Sequence, residues 1–449
     1  MGNRDTLSID IGTTSVKVSV IDEAGHQRSY LKRDIPFDGG SGNLAAIWSS
    51  YLKQLLPDLP GIDTVDAVCV TGNGPTLIPL DSRNEVCGPV ISWVSTPSYD
   101  LGSLQSLYLP KLMHALYSNP EAFKSAESFS GCPEYISALL CGELATFIPD
   151  DRFIPYIWDD QQLGSLSLGR YHFPEFIRTG EPLGVVTQQA SAVYGLRPGI
   201  PVVAGMTDFH AALIGCGCVH EQMTCDRAGT SEGINYISGS SASYKRLRTL
   251  PGITPGTWTV AGLMPASGEV FEWYRMTSGV CELGYDELMR EILSIKAPEH
   301  SFFYPHSGGR HHAGDLLTGG DIVGEAVSDP IVRGRMVAEG IGFTVRSYIN
   351  NLRGSGCAVE RIRHCGGQAR SPYWNDLKAQ LLQVPVEVPL IEDAELLGCA
   401  AAARTGLGDF ADLAEASDAL VRIERTYYPD SSQSPYYEDS FNRWITHRI

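Results

Sequence analysis

The sequence predicts an α/β protein built as two similar halves facing a central cleft. Three observations carry this reading. Strand-like and helix-like apolar patterns alternate along the chain, which implies mixed layers. A strand–glycine turn–strand unit near the start recurs about half a chain later. The 449 residues exceed one ordinary domain and suit two or three.

The first hairpin is Leu7–Asp22. Leu7, Ile9 and Ile11 alternate, then Val16, Val18 and Val20, with Gly12-Thr13-Thr14 between them. Ala67–Val70 reads as an apolar strand ending at Thr71-Gly-Asn-Gly-Pro75. Glu134–Cys141 reads as a helix closed by Gly142. Pro201–Gly205 reads as a short buried strand, and Asp208–Ile214 as a helix capped by Thr207 or Asp208. The second hairpin is Thr224–Ser238, with Gly229-Thr230-Ser231 at its turn. Ile331–Asn351 reads as a long helix interrupted by Gly334, Gly340 and Gly342. Arg361–His364 reads as a strand entering Gly366-Gly367, Pro372–Leu382 as a helix with proline in its first turn, and Glu395–Thr405 as a helix closed by Gly406. The domain boundary is expected near Val219, dividing the chain into residues 1–219 and 220–449.

Composition excludes several function classes. With 34 basic and 52 acidic residues the net charge is −18, which argues against nucleic acid or an anionic membrane as partner. A phosphate-bearing small molecule remains compatible, because local loops and a metal ion bind it. The 11 cysteines are scattered and form no zinc or secreted-disulfide pattern, so a cytoplasmic protein is expected. No apolar run approaches the ~20 residues of a membrane span. The P-loop, the complete G-x-G-x-x-G and the H-E-x-x-H motifs are all missing.

Five constellations could carry chemistry. The two Gly-Thr turns can aim backbone N–H groups and hydroxyls at phosphates, or can be ordinary β-turns. Asp10, just before the first turn, is placed to hold magnesium, and Lys17 to offset phosphate charge. Asp208 could accept the proton of an attacking hydroxyl, or could only cap its helix. Cys365–Pro372 joins a strand to a helix, so its glycines would admit a ribose or ring against the backbone, or simply make a tight turn. The segment from Glu299 to Asp315, with His300, His306, His311 and His312, is rich in metal-capable groups, but its spacings match no zinc signature. Gly229-Thr-Ser231-Glu-Gly233 matches G-x-S-x-G, yet a strand rather than a helix follows, so a Ser231 nucleophile is not expected.

Taken in order, these segments resemble the FGGY carbohydrate kinases, nearest the xylulokinase-like branch. Asp10-Ile-Gly-Thr-Thr-Ser-Val-Lys17 resembles the family's first phosphate motif and Gly229-Thr-Ser231 its second. Pro133–Thr146 resembles its K-D-Y-L…L-T-G-E stretch. Pro201-Val-Val-Ala-Gly-Met-Thr-Asp208 resembles the segment whose aspartate is the catalytic base. Ala338–Phe343, Gly366-Gly-Gln-Ala-Arg-Ser371 and Glu395–Ala401 resemble the adenosine half.

The resemblance implies two actin-like, ribonuclease-H-like domains around a cleft, with sugar bound by the N-terminal domain and nucleotide by the C-terminal one. It implies ATP and Mg2+ as cofactors, and a small sugar or polyol as partner; dimers are common in the family, so a homodimer is the assembly to test. Asp208 would be the base and Asp10 the metal site. Gly12, Thr13, Thr14, Lys17, Gly229, Thr230, Gly268, Glu272, Gly366, Gly367, Gln368 and Ser371 would meet the nucleotide, and Asn73, Gly74, Trp93, Asp208 and Phe209 the sugar. Where the xylulokinase branch has Gln-Met-His-Gly this chain has Asn73-Gly74-Pro75-Thr76, and its Trp-Asn-Asp-x-Arg is Trp93-Val94-Ser95-Thr96-Pro97. The usual Gln after the base is Phe209. Two readings follow. One is a kinase for a terminal hydroxyl of a ketose such as xylulose, a related pentulose or a polyol. The other is a nucleotide-binding family member with a degenerate sugar site and a regulatory role.

Overall fold

The computed structural model describes residues 4–35, 44–95, 102, 104–242, 244, 247–305 and 319–447. The His306–Asp315 part of the His-rich segment, and Thr96 and Pro97, lie outside them. The chain folds as two compact units. The first comprises Met1–Gly217, Ile253–Pro255 and Ala394–Val421, and the second Cys218–Gly252, Gly256–Asp393 and Arg422–Ile449.

The first unit is built on a six-stranded sheet. Its strands are β1 (Asp5–Ile11), β2 (Ser15–Ile21), β3 (Gln27–Asp34), β4 (Val65–Gly72), β5 (Pro182–Val185) and β6 (Pro201–Thr207), in the order β3-β2-β1-β4-β6-β5. β1, β2 and β3 form an antiparallel meander, β1, β4 and β6 run parallel, and β5 closes the edge antiparallel. Every residue of β1 is buried, as a central strand covered on both faces requires.

The second unit repeats this plan. Its strands are β7 (Thr224–Ala228), β8 (Glu232–Ser238), β9 (Arg248–Pro251), β10 (Trp258–Met264), β11 (Ile362–Cys365), β12 (Val386–Pro389) and β13 (Ile423–Tyr427), in the order β9-β10-β8-β7-β11-β12-β13. β7, β8 and β10 are again an antiparallel meander, β7, β11 and β12 run parallel, and β13 is the antiparallel edge. The duplication inferred from two Gly-Thr hairpins is thus a duplication of sheet topology. Each unit has its own core, one around Leu7, Trp48 and Val70, the other around Phe271, Phe343 and Trp374.

Two expectations change. The division at 219/220 does not describe the packing, because Ala394–Val421 returns to the first unit. Glu395–Ala401, read as part of the adenosine half, lies on the Ala394–Gly406 helix beside the Asp208–Gly215 helix. The physical reason is glycine at both contact points. A Cβ on Gly215 would lie 1.7 Å from the Ala394 carbonyl oxygen, and one on Gly398 would lie 2.0 Å from that of Ala211. The long second-unit helix runs unbroken over Pro330–Gly354. Its glycines are contact points, with Gly340 against the Phe303 carbonyl and Gly342 against Leu381. Among the described residues no helix is long and apolar enough to cross a membrane.

Candidate active site

In the first unit three parallel strands end side by side. Ile11 of β1 pairs with Gly72 of β4, which pairs with Thr207 of β6. Asp10 sits one residue before this line and Asp208 one residue after it, so their backbones are ~12 Å apart, two strand spacings across and two residues along. Ligand sites of open α/β sheets lie outside such strand ends.

Asp208 is the first residue of its helix, and Thr207 is the cap position. Asp208 Oδ1 accepts the Phe209 N–H at 2.7 Å. The carboxylate is therefore turned back on the first turn of its own helix. Asp10 is 3% exposed, and its carboxylate lies 3.1 Å from Lys17 Nζ, opposite it in register. Gly12 closes the turn by donating its N–H to the Ser15 carbonyl at 2.9 Å, which leaves Thr14 exposed.

The expected sugar loop is bound to this turn. Trp93 Nε1 donates to Thr13 Oγ1 at 2.7 Å. The Trp93 N–H donates to Thr76 Oγ1 at 3.1 Å, and Thr76 donates to Asn73 Oδ1 at 2.5 Å. Asn73 Nδ2 in turn donates to the Ile11 carbonyl at 3.1 Å. Both ends of the Asn73 amide thus hold the loop together. The Gly74–Pro75 bond is cis, and a Cβ on Gly74 would lie 2.8 Å from Thr207 Cγ2. Tyr108 and Cys132 line the same region. Burial, then Glu134, raises both pKa values, and Asp208 adds to each. Burial pushes Glu134 up to about 7, although its carboxylate accepts the Phe147 N–H at 3.1 Å. His210 is held neutral at about 3 by burial, with Nδ1 2.9 Å from Thr207 Oγ1.

In the second unit three glycine turns abut at the carboxyl ends of β7 and β11. The Gly268 N–H donates to the Gly229 carbonyl at 3.1 Å, and a Cβ there would lie 2.4 Å from that oxygen. The Ser267 N–H donates to the Thr230 carbonyl at 2.9 Å. Gly366 has φ 89°, and a Cβ on it would lie 2.6 Å from the Ala228 carbonyl. Thr230 and Gly367 face solvent. Glu272 is exposed and pairs with Arg275 at 2.8 Å, while Ser371 donates to Asp286 Oδ1 at 2.7 Å. Ser231 is followed by β8, so no nucleophile elbow forms. Glu299 and His300 are both exposed. Gly366→Ala combines a strained φ with a backbone clash, and is expected to cost ~1–3 kcal/mol in urea unfolding. A neutral result would mean that the turn relaxes freely.

Sequence reasoning missed Lys378, which lies beneath these turns at 2.7 Å from Asp226 Oδ2 and 2.8 Å from Glu232 Oε1. It also missed Ser267, which donates to Glu232 Oε2 at 2.5 Å. The available signal was weak: Asp226 and Glu232 lie on the two strands of the second hairpin, but those strands also carry Thr224, Arg227, Asn235 and Ser238.

Comparison with known proteins adds an independent line. Residues 107–215 match the N-terminal domain of the FGGY family of carbohydrate kinases, and residues 227–406 its C-terminal domain. Together these matches span more than half of the chain. A xylulose kinase of Lactococcus lactis is 24% identical over 478 residues, covering 98% of this chain and 95% of that protein. The gluconate kinase of Lactobacillus acidophilus shares the fold with a TM-score of 0.81 at 20% identity, covering 100% of this chain and 98% of that one. Plasmodium falciparum glycerol kinase, solved with ADP, gives a TM-score of 0.78 at 15% identity over 100% and 99% of the two chains.

Proposed function

The chain belongs to the FGGY family of carbohydrate kinases, and on that premise we propose that it moves the γ-phosphoryl group of ATP to a terminal hydroxyl of a small sugar or polyol. It is a phosphotransferase, and kinases of this family take ATP. The observation that carries the finer reading is Asp208, at a helix start beside the ends of three parallel strands and two strands from Asp10.

The first unit takes the acceptor and the second the nucleotide. Asp208 receives the hydroxyl proton as the oxygen attacks phosphorus. Trp93, Gly74 and Phe209 shape the acceptor site, and Asn73 holds its loop in place. Gly12, Thr13, Thr14 and Lys17 offset phosphate charge, as do Gly229 and Thr230. Gly268, Glu272, Gly366, Gly367, Gln368 and Ser371 belong to the nucleotide's surroundings. The donor set suits Mg2+, because Asp10 offers a hard carboxylate oxygen and magnesium commonly takes one or two carboxylates plus phosphate oxygens. When bound, the ion would neutralise charge on the phosphoryl oxygens.

The relatives are named for xylulose, gluconate and glycerol, three different acceptors. A pentulose such as xylulose remains the first acceptor to try. ADP release is the measurement, taken with ATP, magnesium and a panel of ketoses, aldonates and polyols. Release that depends on one class of acceptor is expected. ADP binding with no acceptor across the panel would instead support a regulatory nucleotide-binding protein.

A further inference from the structure

The second unit contains a charged cluster with no access to water. Lys378, on the Pro372–Leu382 helix, has a side chain 1% exposed. Its three N–H groups are all used. They reach Asp226 Oδ2 at 2.7 Å, Glu232 Oε1 at 2.8 Å and His364 Nε2 at 2.9 Å. The His364 tautomer follows from its neighbours. Asn375 Nδ2 donates to the Ala369 carbonyl at 2.8 Å, so Asn375 Oδ1 is the acceptor for His364 Nδ1–H at 2.6 Å. His364 Nε2 is then a lone pair facing the ammonium.

Such a cluster is poorly explained by stability. Removing ions from water costs several kcal/mol each, and an apolar filling of equal volume is often as stable or more so. Its geometry suggests another role. Asp226 lies three residues before Gly229, and Glu232 follows Ser231 directly. They share one face of the sheet, because Asp226 pairs with Ile234 and Ala228 with Glu232. Asp226 is also level with His364 on β11. The second oxygen of Glu232 accepts from Ser267, the residue before Gly268, and Gln368 Nε2 donates to Ser267 Oγ at 2.7 Å. One ammonium therefore ties together the stems of all three glycine turns.

We propose that Lys378 is a positioning residue for the nucleotide: by bridging Asp226 and Glu232 it sets the spacing of the Gly229, Gly268 and Gly366 turns. This rests on the reading of those turns as the nucleotide site. Lys378 is buried and would act through the turns, not on the nucleotide itself.

Glu232 is also the group of the cluster that titrates near neutrality: with both oxygens accepting it is ionised, and when it takes a proton on Oε2 it donates to Ser267 Oγ instead. Burial, then Asp226, pushes Glu232 up to about 7 against the pull of Lys378. Burial opposes the Lys378 charge, but Asp226 and Glu232 outweigh it and keep the ammonium protonated. His364 is neutral, held near 3 first by burial and then by Lys378. The groups facing Glu232 are thus Asp226 from β7, His364 from β11, Lys378 from its helix and Ser267 from the preceding loop. With Glu232 protonated the cluster is neutral; with Glu232 ionised it carries one negative charge beneath a phosphate site. Nucleotide affinity should fall as pH rises through neutrality.

The test is calorimetric titration of the full chain with ADP and magnesium. The combined variant Asp226→Asn, Glu232→Gln, Lys378→Met removes every charge without stranding one. It should weaken ADP binding by ~10- to 100-fold while melting cooperatively. For wild type, affinity should fall by up to about fivefold between pH 7 and 8, and Glu232→Gln should flatten that slope. Comparing the two proteins cancels the titration of ADP itself. A folded combined variant that binds ADP like wild type overturns the proposal. If that variant does not fold, Glu232→Gln decides, and an unchanged slope overturns it. Gly268→Val separates this failure from failure of the site: unaltered ADP binding in that variant would mean that the turns are not the nucleotide site.

Discussion

Asp208→Asn should lower kcat by ~10²–10⁴-fold while leaving ADP affinity unchanged. The substitution is close to isosteric. Asn Oδ1 still accepts the Phe209 N–H that Asp208 accepts at 2.7 Å, so the helix start is preserved. What is lost is the ability to take a proton and the negative charge at the ends of the parallel strands. Thr207 holds the cap position without a side-chain cap bond, so the first-turn N–H is met by residue 208, and Asn meets it as Asp does. ADP release with an identified acceptor, set beside ADP titration of the same variant, measures both quantities. Near-normal turnover would remove Asp208 from the chemistry.

Gly398→Leu should destabilise the first unit by about 3 kcal/mol or more, which lowers its melting temperature by roughly 6–12 °C. The Cβ at 398 would lie 2.0 Å from a backbone oxygen of the Asp208–Gly215 helix, and backbone cannot rotate away as a side chain can. The helices must separate, and the Asp208 helix shifts with them, so turnover should fall as well. Gly164→Ala is the control. It lies in a helix of the same unit with nothing within 4 Å of its Cβ, and should stabilise by about 0.5–1 kcal/mol. Equal effects from the two substitutions would refute the close helix contact.

Local signals explain what was legible in the sequence. Both Gly-Thr hairpins, the Asp208 helix and the Gly366 turn were readable because periodicity, glycine and helix caps act over a few residues. The role of Asn73 was not readable. An asparagine in the expected sugar loop looks like a ligand contact until its amide is seen bonded to Ile11 and Thr76. Lys378 was hidden for the opposite reason. A lysine on a helix usually snorkels to water, and its partners lie 152 and 146 residues away. The small residues of Ala394–Gly406 announced close packing, but no local signal named the unit that would receive them.

That return of the chain has a consequence during synthesis. The Asp208–Gly215 helix is made early, yet its packing partner is Ala394–Gly406. At ~5–20 residues per second, translation leaves roughly 10–40 s between the two. Through that interval the first unit on the ribosome lacks part of its own interior, and the helix face around Ala211 and Gly215 is bare. The nascent chain is thus most open to chaperones, or to pairing with another copy, while the second unit is being translated.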